Sequence, residues 1–242
     1  MYCATCERFS FHIICKSCLN NLWYIDSKRE LENGLKVFSS FALSEIKELV
    51  LSKNNVIGSR VLARLGSFGV KKFFMQNSEL LFEKTLDSIE SKNTKVIESR
   101  DFYKKDSINV SQDSIESKIR KKDSIESTES IKKNCAIVCV RNKQIGAYSH
   151  SAILAKCFKK FGFKVFYNAL IAQNDVRFTS LSLIQRLKES RDFSFKIPQN
   201  FSFIIIVDDI ITTGQTLFQA SEIIKSNDKI PLFAWTLCDA RY

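Results

Sequence analysis

"FIIIVDDIITTGQTL", residues 203–217, decides the fold. An unbroken apolar run ends in two adjacent carboxylates, Asp208 and Asp209, followed by threonines, a glycine and the start of a helix. A run without alternation predicts a central strand covered on both faces. Two acids side by side repel each other, so a bound group must offset the cost. The loop Thr212, Thr213, Gly214, Gln215, Thr216 leads into a helix N-terminus, where unpaired N–H groups and the helix dipole favour an anion. Small residues let the backbone close around a phosphate, and the threonines add hydroxyl donors. The two carboxylates can accept from a vicinal diol, or hold Mg²⁺ directly or through water. A diol beside a phosphate describes a ribose 5-phosphate. An acidic strand of this kind also occurs in nucleoside triphosphatases, but those need G-x-x-x-x-G-K-[ST], which the chain lacks.

The surrounding sequence predicts an α/β domain. "CAIVCV" (135–140), "KVFYNAL" (164–170), "FSFIIIVDD" (201–209) and "PLFAWTLC" (231–238) read as strands. "SHSAILAKCFKKFG" (149–162), "SLSLIQRLKESR" (180–191) and "QTLFQASEIIKSN" (215–227) read as helices between them. In the first, Ile153, Leu154, Cys157, Phe158 and Phe161 share the inward face. Strands alternating with helices predict a doubly wound parallel sheet, with its binding site at the carboxyl ends of the strands. Residues 31–83 read as mainly helical: "FALSEIKELVLSK" takes Ser44 as N-cap, and Val61, Leu62 and Leu65 recur at helical spacing.

Residues 84–133 differ. "DSIES" recurs at 87–91, 113–117 and 123–127, aromatics nearly vanish and charges alternate. The unit is too short for a solenoid repeat, so the segment reads as a low-complexity insertion.

"CATCERFSFHIICKSC" puts Cys3, Cys6, Cys15 and Cys18 in two C-x₂-C pairs. Each pair aims two thiolates at one ion, and four make a closed tetrahedral site, so structural zinc is expected; an iron–sulfur cluster is the alternative. His12 lies between the pairs and reads as a surface residue. Such a module either binds nucleic acid or staples the N-terminus. Cys135, Cys139, Cys157 and Cys238 read as buried apolar residues. The polar N-terminus has no signal-peptide pattern, and no apolar run approaches the ~18 residues of a membrane span. A cytosolic chain is expected.

The net charge of +11 is spread as +3 over 1–83, +2 over 84–133 and +6 over 134–242. The basic excess therefore lies with the segments that read as folded, which favours a polyanionic partner. Lys156, Lys159 and Lys160 fall opposite the core face of helix 149–162. Arg141 and Lys143 fall in the loop before it, with Tyr148 and His150 placed to stack on a base. For the lysines the competing reading is a solvated helix face. For Tyr148 it is a hydrophobic contact, and for His150 a helix-start residue without chemistry.

"IIIVDDIITTGQT" resembles the 5-phosphoribosyl 1-pyrophosphate (PRPP) signature of type I phosphoribosyltransferases. That resemblance implies that Asp208 and Asp209 contact ribose hydroxyls and, indirectly, Mg²⁺, while Thr212 to Thr216 cradle the 5-phosphate. Joined to the four-cysteine module, it resembles the ComF family of natural competence. The expected organisation is a zinc module (1–22), a phosphoribosyltransferase-like domain (23–83 and 134–242) and the 84–133 insertion. "GAYSHSAILAK" (146–156) is similar to the family's R-G-[FY]-N-[QH] segment, and "LIQRLKESRDFSF" (183–195) to its Q-x₂-L-x₄-R stretch, with Gln185, Leu187 and Arg191. "VCVR" (138–141) stands where the family has V-P-V-P, Gln144 and Ile145 precede the Gly, and Ser149 replaces Asn. In the family that loop holds pyrophosphate, so turnover is left open.

The family implies cytosolic handling of incoming single-stranded DNA, at or near the inner membrane. A DNA-import channel or helicase is a candidate partner, and Mg²⁺-PRPP or a DNA 5-phosphoribosyl end a candidate ligand. An active PRPP-dependent transferase, with Arg191 helping to stabilise departing pyrophosphate, is the alternative. A PRPP-sensing regulator is a third reading, weakened by the lack of a helix-turn-helix pattern.

Overall fold

The computed structural model describes residues 1–52, 57–77, 132–142, 148–173 and 192–242. The helix expected over 180–191, with Arg191, and nearly all of the 84–133 insertion lie outside them, as does Lys143.

Among the described residues seven strands form one sheet: β1 (Tyr24–Glu30), β2 (Lys36–Ala42), β3 (Cys135–Asn142), β4 (Lys164–Ala172), β5 (Phe193–Phe195), β6 (Phe203–Ile211) and β7 (Ile230–Asp239). Their order is β1-β2-β7-β6-β3-β4-β5. The five central strands run parallel, and the edge strands β1 and β5 pair antiparallel. The described helices are α1 (Lys16–Asn21), α2 (Leu43–Leu51), α3 (Gly58–Gln76), α4 (His150–Cys157, continued by a 3₁₀ turn over Phe158–Phe161) and α5 (Gln215–Lys225). None of them is long and apolar enough to cross a membrane.

Strand β6 shows why its sequence does not alternate. Phe203, Ile205 and Val207 join one core cluster, while Ile204 and Ile206 join the other. Residues from α2, α3 and α4 fill the first cluster, and Leu217, Ala220 and Ile224 of α5 fill the second. The sheet is thus covered on both faces, which is what an all-apolar strand requires. The apolar run was expected to end at the acid pair, yet β6 continues through Ile211, so Asp208 and Asp209 lie inside the strand.

The region before residue 58 corrects the sequence reading. Residues 24–42 form a β-hairpin, where mainly helical structure was expected from residue 31 onward. Gly34 supplies the left-handed turn at φ 79°, and β2 is inserted beside β7, with Ser39 Oγ 2.7 Å from Thr236 Oγ1. The two serines in "KVFSSFA" hid a strand that is buried over six of its seven residues. Helix α2 consequently starts at Leu43 with Ala42 as cap, and Ser44 lies inside it.

The N-terminal segment is docked on this body. Ile14 and Leu19 are buried in the first core cluster. Cys135, Cys139, Cys157 and Cys238 are buried as expected, and burial pushes the Cys139 thiol up to about 11. Gly66 lets α3 approach α4 closely, since a Cβ there would fall 2.7 Å from Leu154 Cδ2.

Candidate functional site

The topology locates the site before any side chain is considered. From β3 the chain passes through α4 to β4, and from β6 through α5 to β7. These two helices cover opposite faces of the sheet. The strand order therefore reverses between β3 and β6, and a crevice opens at their carboxyl ends. Arg141 is next to last in β3 there, Asp208 and Asp209 approach the end of β6, and α4 and α5 both begin there.

Asp208 lines a small cleft with Thr212, Thr213, Gly214, Gln215 and Thr216. Gly214 is the N-cap of α5 at φ 88°, a left-handed conformation that favours glycine. A Cβ at that position would sit 2.6 Å from Leu31 Cδ2, so the β1–β2 hairpin presses directly on the turn. The Thr213 hydroxyl accepts the Gln215 N–H at 3.3 Å. The Asp208 carboxylate accepts the N–H of Asp209 at 2.9 Å.

The two acids have different neighbours. Asp209 Oδ2 lies 3.7 Å from Nδ1 of His150, the first residue of α4. Tyr148 meets the His150 ring edge-on, centroids 5.2 Å apart. Ser149 caps α4, its side chain accepting the Ala152 N–H at 3.3 Å. One carboxylate thus lies beside the loop before α5 and the other beside the start of α4.

Sequence reasoning missed Arg29. From β1 its guanidinium donates to the carbonyl oxygens of Thr212 and Thr213, both at 2.6 Å. Burial first, then Arg241, lowers its pKa, with Asp239 opposing. Nearby, Arg241 donates to the fully buried Asp239 carboxylate at 2.7 Å, which also accepts from Ser27 Oγ at 3.2 Å. Holding the two carbonyls on β1 fixes the loop's backbone orientation before any ligand arrives. No sequence signal marked Arg29, one charge in "DSKRE" 183 residues from Thr212.

The basic residues separate into two groups. Arg141 donates to Asn168 Oδ1 on β4, at the crevice. Lys156, Lys159 and Lys160 are exposed along and beyond the end of α4, which leads away from the crevice toward the amino end of β4. Lys159 Nζ sits 5.2 Å from the Tyr167 ring centroid. Lys160 instead faces a groove shared with the N-terminal segment.

Cys3, Cys6, Cys15 and Cys18 bring their sulfurs within 4.8 Å of one another. A tetrahedral ion with metal–sulfur bonds of ~2.3 Å separates its ligands by about 3.8 Å. Cys6 and Cys15 stand 3.9 Å apart, so the set fits such an ion. The Cys15 N–H points at Cys3 Sγ (3.3 Å) and the Cys18 N–H at Cys15 Sγ (3.4 Å), the contacts that orient thiolates. Burial opposes ionisation of Cys3, yet backbone N–H groups of Cys15, Cys6 and Thr5 bring its thiol down to about 6. Hydrogen bonds with Cys15 and Cys6 push the Cys18 thiol up to about 12. Four thiolates at this spacing repel unless a cation lies among them. The four sulfurs can hold a metal ion.

No model of a known protein family matches the chain, and no curated protein matches its sequence.

Proposed function

We propose that the chain is a ComF-like protein with a type I phosphoribosyltransferase-like fold and a structural zinc module. It binds a phosphoribosyl group, Mg²⁺-PRPP or a DNA 5-phosphoribosyl end, and handles single-stranded DNA in the cytosol, with a DNA-import channel or helicase at the inner membrane as its partner. One observation carries this reading: the loop 212–216 begins a helix at the strand-order reversal and shares its cleft with Asp208. Backbone N–H groups of the loop would take the 5-phosphate, and Asp208 the ribose hydroxyls, with Mg²⁺ held between Asp208 and the ligand. Asp209, turned to His150, is the less direct of the two acids. The basic surface supports a polyanionic partner.

Titration of the metal-loaded protein with a labelled single strand, and with the duplex of the same sequence, tests the DNA part of this proposal. Preference for the single strand is expected, with affinity falling as salt rises. Equal or absent binding of the single strand would overturn it.

A second reading, turnover of PRPP, is favoured by the His150–Asp209 pair, which puts a proton-transfer group at the crevice. The bond from C1 of the ribose to pyrophosphate would break as a nitrogen nucleophile attacks, and Mg²⁺ with loop amides would stabilise the leaving group. Pyrophosphate release that disappears in Asp208→Asn would support it.

A further inference from the structure

We propose that the single strand runs through the groove between the four-cysteine segment and α3, away from the phosphate loop. This rests on the reading that the protein binds single-stranded nucleic acid, and it names the surface that does so. The groove encloses about 470 Å³ and is lined by Phe11 and His12 on one wall, Arg60 and Arg64 of α3 on the other, and Lys160 at one end. No carboxylate lines it among the described residues.

Two features together point to a single strand. The first is charge: Arg60 and Lys160 are both exposed and both line the groove, as phosphate contacts require. The second is aromatic surface. Phe11 is 87 % exposed, and the neighbouring Phe9 and Tyr2 are 70 % and 71 % exposed. Phe9 and Phe11 are locked edge-to-face with centroids 5.6 Å apart, and Tyr2 is bridged to Phe9 through the backbone. A small metal-held segment does not leave three rings in water to build its own core. Rings beside a cationic track are the arrangement on which unpaired bases stack while the backbone follows the charges. A duplex, with its bases already stacked, cannot use them. Arg64 Nε reaches the Ile14 carbonyl at 3.4 Å, so the same helix that supplies the cations also positions the aromatic wall. On this account the four-cysteine segment is one wall of the binding groove as well as a staple for the N-terminus.

The test measures anisotropy of a labelled oligothymidylate with the zinc-loaded full chain. Phe11→Ala is expected to weaken binding by about tenfold or more, from the loss of one stacked base. Arg60→Gln with Lys160→Gln is expected to weaken it and to reduce the salt slope by about 1.4, the release from two single-strand phosphates. Lys225→Gln, an exposed change on α5 across the sheet from α3, should leave strand affinity unchanged. Lys160→Glu, a solvent-facing change, tests the same point if a groove variant fails to fold or loses zinc. Strand affinity unchanged in Phe11→Ala and Lys160→Glu would overturn the groove while leaving single-strand binding intact. Loss of strand binding in Asp208→Asn alone would move the strand to the phosphate loop and overturn the groove. No binding by the wild-type protein would overturn both. If these variants instead abolish a concentration-dependent dimer and leave strand affinity alone, the groove belongs to a second copy and the inference fails.

Discussion

Arg29 Nη2 donates to the carbonyl oxygen of Thr213 at 2.6 Å, tying the edge strand β1 to the turn that begins α5. With the matching bond to Thr212, it leaves the loop's carbonyls engaged on the outside. The hairpin, whose second strand fell within the stretch read as mainly helical, is therefore a support of the candidate anion site.

Arg29→Ala removes two hydrogen bonds from a charged donor. Such a bond contributes about 1.5–3 kcal/mol, and the one to Thr212 is exposed and counts for less, so a stability loss of about 2–4 kcal/mol and a weaker anion affinity are expected. Arg29→Lys should recover only part, because an ammonium cannot reproduce the fork. Denaturant midpoints alongside phosphate or PRPP titrations check this. Unchanged ligand affinity in Arg29→Ala would show that the loop holds its shape unaided.

Gly214→Ala meets two obstacles, the left-handed backbone at φ 88° and the Leu31 side chain. The backbone alone costs about 1–2 kcal/mol. A lower melting temperature is expected together with weakened anion binding. Gly214→Ala combined with Leu31→Ala should recover part of the ligand affinity if the clash distorts the loop.

Removal of the metal should destabilise the whole chain, because Ile14 and Leu19 are built into the main core. A loss of about 2 kcal/mol lowers the melting temperature by about 5 °C or more in a chain of this size. Metal analysis should give one ion per chain, and Cys6→Ser should behave like the chelated protein.

Asp239 gives the acid limb of stability. Burial raises its carboxyl pKa, but hydrogen bonds and charge from Arg241, with Ser27 Oγ, outweigh burial and hold it below the ordinary value. A carboxyl lowered in the folded state stabilises above its unfolded pKa of about 3.9 and loses that contribution as pH falls through the folded value. Stability should therefore decline below about pH 4. Arg241→Ala should lower stability at pH 7 by about 2 kcal/mol and flatten that decline. Denaturation midpoints from pH 2.5 to 7 read both effects.

The sequence was most legible where one physical demand dominated. The run 203–207 is apolar on both sides because helices cover both faces, so β6 could be read directly. The cysteine spacing was legible for the same reason, since few other residues meet that demand. Legibility failed where the demand came from a distant partner. Ser39 breaks the apolar pattern of β2 because it bonds to Thr236 on a strand nearly two hundred residues later. Arg29 follows the same rule, and so does the divergence of Asp208 and Asp209, which His150 and the loop reveal only in three dimensions.

The central claim is that Asp208 and the loop 212–216 form a phosphoribosyl site. Calorimetric titration of the metal-loaded protein with PRPP and Mg²⁺, beside Asp208→Asn and the Asp208→Asn/Asp209→Asn double variant, tests it most directly. The account predicts saturable binding by the wild-type protein, most of it lost in Asp208→Asn and all of it in the double variant. Absence of binding by the wild-type protein, or binding that survives the double variant, would contradict it.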